Sequence, residues 1–315
     1  MFKAILVRDK NSDPKIETKL QESELPPGDV LIKTEYTTIN YKDSLAIVKK
    51  IPIIRDFPMI PGIDFAGSII ESSNPAFKIG QNVLSTGWGV GESHWGGFSE
   101  LVRVNSEWLT KIPEKLSLKS VMSIGTAGFT AMLAIAKLEE HGINQKSGKI
   151  LVTGASGGVG SISVAILSNL GFEVIAMTGN SDNKSFLKSL GAKEIINRFS
   201  SEEEVKILDK QKWIGVIDTV GSTTLAKACS STLSDGAVVA CGNAQGLDFP
   251  TSVAPFILRG INLYGIDSVK KSQECRSKIW NRLSTDLPIE KLQKITNEYS
   301  FDEIISTAHA LLNGN

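Results

Sequence analysis

The densest run of chemically suggestive residues is Ile150-Leu151-Val152-Thr153-Gly154-Ala155-Ser156-Gly157-Gly158-Val159-Gly160. An apolar strand runs into glycines and an apolar helix follows, the context in which a glycine-rich turn receives a dinucleotide pyrophosphate. Set on the pattern G-x-G-x-x-G, Ala155 stands at the first glycine, Gly157 lets the backbone approach the pyrophosphate, and Gly160 lets the helix pack on the sheet. The start of that helix offers unpaired N–H groups and the positive end of its dipole to phosphate oxygens. The bland alternative is an ordinary glycine turn in an α/β domain, and the strand and helix on either side argue against it. The next strand, Phe172 to Met177, ends in Thr178-Gly179-Asn180, with no carboxylate before Asp182. A carboxylate at that end would bond the 2′-hydroxyl of NAD. Hydroxyl and amide donors there, with Lys184 and Arg198 downstream, predict NADP(H) instead. Asp182 counts against this choice, and Lys184 reads equally well as a solvated helix charge.

The elements that must hold this turn alternate strand with helix. Lys149 to Thr153, Glu173 to Met177, Glu194-Ile195-Ile196, Gly215 to Thr219 and Ala237 to Ala240 read as buried strands. Ser161 to Leu170 and Asn183 to Leu190 read as helices between them, which predicts a parallel α/β sheet. Helical patterning starts earlier, at Ser117, and continues to His141. The first hundred residues differ. Short apolar runs at Phe2 to Val7, Asp29 to Thr34, Phe65 to Glu71, Asn82 to Ser85 and Phe98 to Val104 are separated by Pro and Gly, which predicts a compact antiparallel barrel or sandwich. Beyond about residue 265 the pattern is mixed and charged again.

The 315 residues suggest two domains. The 34 basic and 34 acidic residues cancel. That balance disfavours nucleic acid, which calls for a basic surplus, and a polybasic membrane anchor. Cys229, Cys241 and Cys275 are too few for a disulfide framework and lack zinc spacing. The short apolar N-terminus ends in charge and does not read as a signal peptide, and no uncharged membrane-length stretch is apparent. The expectation is a soluble cytoplasmic protein.

These segments together resemble the medium-chain dehydrogenase/reductase superfamily, in its zinc-free quinone oxidoreductase branch and the bacterial acrylyl-CoA reductase group within it. The resemblance spans the chain. It is carried by Asn40-Tyr41-Lys42-Asp43, Pro61 to Gly67, Gly87-Trp88-Gly89-Val90-Gly91-Glu92, Gly96-Gly97-Phe98, Gly125 to Ala131, Val152 to Gly160, Leu190-Gly191-Ala192, Pro255 to Arg259 and Gly265 to Ser268. It implies a GroES-like β-rich catalytic domain over residues 1–120, a Rossmann doubly wound parallel sheet that binds NADP over 121–265, a return to the catalytic domain over 266–315, and a homodimer. It places Tyr41 beside the nicotinamide and Ser156, Gly157, Gly158 and Val159 over the pyrophosphate. Thr178, Gly179, Asn180 and Arg198 fall around the 2′-phosphate, Asn243, Ile257 and Ser268 near the nicotinamide, and Asn313 near the C-terminus. Many relatives carry Arg where this chain has Asn180, so the phosphate grip leans on Arg198 and Lys184. Relatives also usually continue past the point corresponding to Asn315.

Zinc members of the superfamily use Cys and His ligands, including a Gly-His-Glu motif. The matching segment here is Gly62-Ile63-Asp64, no cysteine precedes residue 229, and His94, His141 and His309 are dispersed. No metal site is expected. Without a Lewis acid, hydride delivery to a C=C bond conjugated to a carbonyl is favoured over alcohol oxidation. Tyr41 is the first candidate for a polar group near the reacting carbons, in a catalytic or a cofactor-orienting role, with Asp43 and Lys42 behind it. Asp64 reads as a turn carboxylate, His94 as a surface loop residue and Cys241 as a buried small residue. Three functions compete: reduction of an α,β-unsaturated thioester such as acrylyl-CoA, reduction of quinones or enones, and non-catalytic NADPH binding.

Overall fold

The structure, a computed structural model, describes residues 1–200 and 204–313. The chain forms two compact units: Met1–Thr126 with Val269–Ser284 and Thr296–Asn315, and Ala127–Ser268 with Thr285–Ile295. Thr285–Ile295, inside the stretch expected to return to the first domain, belongs to the second unit.

In the first unit, strands β1 (Phe2–Leu6) and β2 (Lys15–Leu20) pair antiparallel. Strands β3 (Val30–Thr37), β4 (Asp64–Ser72), β5 (Asn82–Thr86), β6 (Leu101–Val104) and β7 (Thr110–Lys111) form an antiparallel sheet in the order β6-β3-β4-β5-β7. Successive residues of a strand face opposite sides. Val30 and Ile32 accordingly join a core with Phe65, Ile69, Val83 and Val102, while Leu31 joins another with Phe2, Ile5, Ile60 and Phe98. Both faces of β3 are therefore covered where it reads as an unbroken apolar run. Helix α1 (Tyr41–Ile47) connects β3 to β4 and buries Ala46 and Ile47.

Helix α2 (Leu118–Glu140) has the length and apolar composition of a membrane span. Most of its apolar window is buried, and its backbone breaks at Gly125 (φ 50°, ψ −160°). The break adjoins the change of unit at Thr126, so the continuous helical pattern of the sequence covers two helical pieces.

The second unit holds β8 (Ile150–Val152), α3 (Gly158–Asn169), β9 (Val174–Thr178), α4 (Lys184–Leu190), β10 (Glu194–Asn197), β11 (Trp213–Asp218), α5 (Ser222–Ser230), β12 (Thr232–Ala240), α6 (Ala254–Arg259) and β13 (Asn262–Gly265). All six strands run parallel in the order β10-β9-β8-β11-β12-β13. This is the doubly wound order 3-2-1-4-5-6, and it places loops that bind ligand at the carboxyl ends of the strands. Leu151, Ile175, Met177, Val216 and Val238 are buried together, as expected of parallel strands covered on both faces. Helix α7 (Gln273–Asp286) begins in the first unit, α8 (Ile289–Ile295) lies in the second, and α9 (Ile304–Leu312) returns to the first. Lys291 of α8 reaches the Ser168 hydroxyl and the Ala165 carbonyl of α3.

Candidate functional site

In the second unit the glycine turn links β8 to α3. Gly154, not Ala155, makes the tight bend: its φ is 56°, and a Cβ there would lie 2.3 Å from the Thr219 hydroxyl. The positive-φ glycine of the turn thus stands one residue before Ala155, which aligns with the first glycine of the pattern. At Gly160 a Cβ would meet the Gly154 carbonyl oxygen at 2.3 Å, so only glycine lets α3 sit so close to the turn. Gly157 and Gly158 are exposed, and a Cβ on Gly157 would touch only the Gly154 carbonyl, at 3.4 Å. Gly157 caps α3 without a side-chain hydrogen bond. The N–H groups of the first turn, from Gly158 and Val159 onward, thus lack intrahelical acceptors. An open backbone cradle at the start of a twelve-residue helix suits a pyrophosphate.

The neighbouring corner is built by β9 and β10. Thr178 is buried at the end of β9, its hydroxyl 3.3 Å from that of Ser156. Asn180 accepts a hydrogen bond from the Asp182 N–H, which turns this loop. The Arg198 N–H donates to the Thr178 carbonyl, and the guanidinium lies against Gly179, about where a side chain there would be. Arg198 is exposed and pairs with no carboxylate among the described residues. Ser156, Thr178, Gly179, Asn180 and Arg198 thus form one patch of hydroxyl, amide and guanidinium donors. Lys184 is exposed at the start of α4.

Asp218, at the end of β11, ties the loops together. Its fully buried carboxylate accepts from the Thr153 hydroxyl (2.7 Å) and the Gly221 N–H (2.8 Å). Burial holds its carboxyl above the usual range against those bonds. Sequence reasoning missed this residue, although an Asp closing the apolar run Gly215 to Ile217 was a signal. Asn243 follows β12 and Ser268 follows β13, at the same carboxyl edge of the sheet, while Ile257 on α6 is 72% exposed. Cys241 is half-buried, and burial pushes its thiol up to about 12, which leaves it inert.

In the first unit Tyr41 opens α1 and is 43% exposed, while its neighbours are pinned. Asp43 accepts from the Asn40 N–H (2.8 Å), the Asn40 side-chain amide (3.1 Å) and the Ile63 N–H (2.9 Å). Asp64 accepts from the same Asn40 amide (2.9 Å) and from the N–H (2.8 Å) and hydroxyl (2.5 Å) of Thr126. Lys42 forms an ion pair with Glu92 of the Gly87–Glu92 loop. Burial, then the proximity of Asp64, raises Asp43 to about 7, and burial raises Asp64 as well. The turn carboxylate expected at Asp64 is thus one half of a buried acidic pair. His94 is half-buried rather than a surface residue, with Nε2 2.7 Å from the Arg103 carbonyl and its ring edge-on to Trp108. Asn313 caps α9 and is exposed. Among the described residues no group of three or more His, Cys, Asp or Glu could hold a metal ion.

Both units match known families. Residues 26–114 match the alcohol dehydrogenase GroES-like domain, and residues 158–285 match the zinc-binding dehydrogenase domain. The chain belongs to the medium-chain dehydrogenase/reductase superfamily, in its zinc-free, quinone oxidoreductase-like branch. Within that branch it is 49% identical to the probable acrylyl-CoA reductase AcuI of Escherichia coli, over 93% of this chain and 90% of that protein. It is 42% identical to the acrylyl-CoA reductase AcuI of Ruegeria pomeroyi, over 100% of this chain and 96% of that protein. The crystal structure of the YhdH oxidoreductase from Salmonella enterica in complex with NADP is 46% identical, with a TM-score of 0.96 over 99% of this chain and 96% of that one. The YhfP protein of Bacillus subtilis, provisionally named a quinone oxidoreductase, is 42% identical over 96% of this chain and 93% of its own length. A crystal structure of YhfP has NAD bound, with 40% identity and a TM-score of 0.94 over 99% of this chain and 96% of that one.

Proposed function

We propose that this protein is an NADPH-dependent, zinc-independent reductase that saturates the C=C bond of an α,β-unsaturated thioester, with acrylyl-CoA as substrate. The observation that carries the reading is the near full-length identity to two acrylyl-CoA reductases. The open glycine cradle and the donor corner fit the cofactor. When bound, NADPH supplies the hydride. The first-turn N–H groups of Gly158 and Val159, with Ser156 and Gly157, hold the pyrophosphate. Thr178, Gly179, Asn180 and Arg198 hold the 2′-phosphate, and the lack of a carboxylate at the end of β9 favours NADPH over the NAD seen in YhfP. Asn243, Ile257, Ser268 and Asn313 complete the cofactor contacts. Tyr41 is the polar group presented toward the reacting carbons, orienting the carbonyl that accepts charge as the double bond is reduced.

The reading includes a cytoplasmic homodimer. Strand β13 is the last strand of its sheet, and α6, which leads into it, exposes Ile257 and Leu258 beside Val253. Light scattering tests the dimer. The activity test mixes purified protein with NADPH and acrylyl-CoA and follows the nicotinamide absorbance. Absence of substrate-dependent oxidation overturns the thioester. The likeness to YhfP supports a second reading, in which a quinone or enone is the substrate. A higher kcat/KM on a quinone than on acrylyl-CoA would select it.

A further inference from the structure

Asn40, Asp43, Asp64 and Thr126 form a polar cluster with two buried carboxylates, outside the proposed cofactor contacts. The two amide hydrogens of Asn40 go to different carboxylates, one to Asp43 and one to Asp64. Asp43 belongs to the first turn of α1, two residues after Tyr41. Asp64 opens β4 and reaches Thr126, just after the Gly125 break. A Cβ on Gly125 would lie 2.9 Å from an Asp64 carboxylate oxygen and 2.7 Å from the Thr38 methyl, so the bend is packed directly against this carboxylate. Every neighbour of Tyr41 in the Asn40–Asp43 turn is fastened, while Tyr41 itself projects.

We propose that Asp43 and Asp64 are positioning residues for Tyr41, a two-carboxylate clasp through Asn40 that fixes the first turn of α1 and the Gly125–Thr126 bend together. The proposal rests on the reading of Tyr41 as the residue presented to the substrate. Two fully buried carboxylates that share one amide cannot both ionise cheaply, and they titrate as a pair. The charged groups facing them are few. Arg276 of α7, itself fully buried, lies on the side of Asp64 and favours its charge. Lys42 and Glu92 neutralise each other beside the turn. Helix α9 contributes Ile304 and Ala308, not a charge, to the core that includes Ile47. The charge therefore resides first on Asp64, and Asp43 releases its proton near neutrality. As Asp43 ionises, its bonds from Asn40 and Ile63 become charge-assisted and stronger, so the turn that carries Tyr41 tightens as pH rises through about 7.

The experiment uses protein without cofactor, labelled with 13C at the aspartate carboxyls and on the tyrosine rings, with Tyr41 assigned through Tyr41→Phe. In the unsubstituted protein the Asp43 carboxyl and the Tyr41 ring are expected to titrate with one midpoint near neutrality. In Asp64→Asn both midpoints should fall together by about one pH unit or more, because the neighbouring charge is gone. With NADPH and acrylyl-CoA, kcat of that variant should fall and its pH inflection should shift equally, with KM little changed. A Tyr41 signal that ignores the Asp43 titration, or a midpoint unmoved in Asp64→Asn, overturns the clasp. Should circular dichroism show Asp64→Asn unfolded, Asp64→Ser removes the same charge while keeping an oxygen for the Thr126 N–H, and must lower the same midpoint; an unmoved value is equally fatal. Coupled titrations without any acrylyl-CoA turnover would instead remove the substrate reading and leave the clasp standing.

Discussion

The two units present their functional residues by opposite means. The nucleotide cradle is backbone: glycines at fixed spacing, a helix start and a carbonyl within reach of Gly160, all inside eleven consecutive residues. The turn that carries Tyr41 is held by side chains brought from residues 40, 43, 64 and 126, on three elements. The cradle itself, residues 150–160, is steric and holds no titrating side chain. A site held by buried carboxylates carries a proton equilibrium within its scaffold.

The largest effect is expected at Gly160. Valine there would drive a side chain into the Gly154 carbonyl and the Ala155 backbone, a clash well beyond the roughly 1–3 kcal/mol usual for side-chain overpacking. NADPH binding, followed by fluorescence titration, should be lost; retained binding would mean that the cradle is not steric. Next comes the pH dependence of stability from Asp43. Its carboxyl lies near 3.8 when unfolded and at about 7 when folded, so the native state binds the proton more tightly. Its contribution is fully present below pH 3.8 and is lost as pH rises through about 7. The span corresponds to roughly 4 kcal/mol as an upper bound. Thermal unfolding from pH 4 to 8 should show this decline, and Asp43→Asn should flatten it; parallel curves would refute the assignment. Third, Asp218→Ala strands the Thr153 hydroxyl and the Gly221 N–H, costing about 2–3 kcal/mol. An unchanged urea midpoint would show that the nucleotide unit needs no side-chain hub, widening the contrast. The smallest effect is at Arg198. Arg198→Ala should weaken NADPH about tenfold, near the 1.4 kcal/mol worth of one charge-assisted bond, and leave NADH unchanged. Equal losses for both cofactors would place Arg198 away from the 2′-phosphate.

What was legible in the sequence follows the same division. Strand periodicity, the glycine turn and the helix that follows it are local signals, so β8, α3, β9 and the short β10 emerge almost where the pattern put them. Thr178-Gly179-Asn180 was readable as a carboxylate-free strand end for the same reason. The Gly125 break was hidden, because the apolar helical patterning runs on across it and only the backbone of one glycine departs from it. Thr285–Ile295 was hidden as well: α8 buries only Leu292, too little to announce which unit it joins. The Asp43–Asp64 pairing was beyond reach, since no local spacing links residues 21 positions apart to an amide at 40 and an N–H at 126. Asp43 and Asp64 were each visible as residues, but their partnership was not.

Phe2 and Ile5 share one core with Ile304 and Ala308. The first unit therefore cannot close until Ile304 and Ala308 of α9 have been made, whereas every segment of the second unit is in hand by Ile295. On a ribosome emitting the chain from its N-terminus, the inserted unit completes its own core while the unit that surrounds it in sequence still waits for helix α9. The opening β-strands spend most of synthesis with their apolar faces uncovered. That interval, more than the finished structure, leaves the apolar faces of β1 open to aggregation.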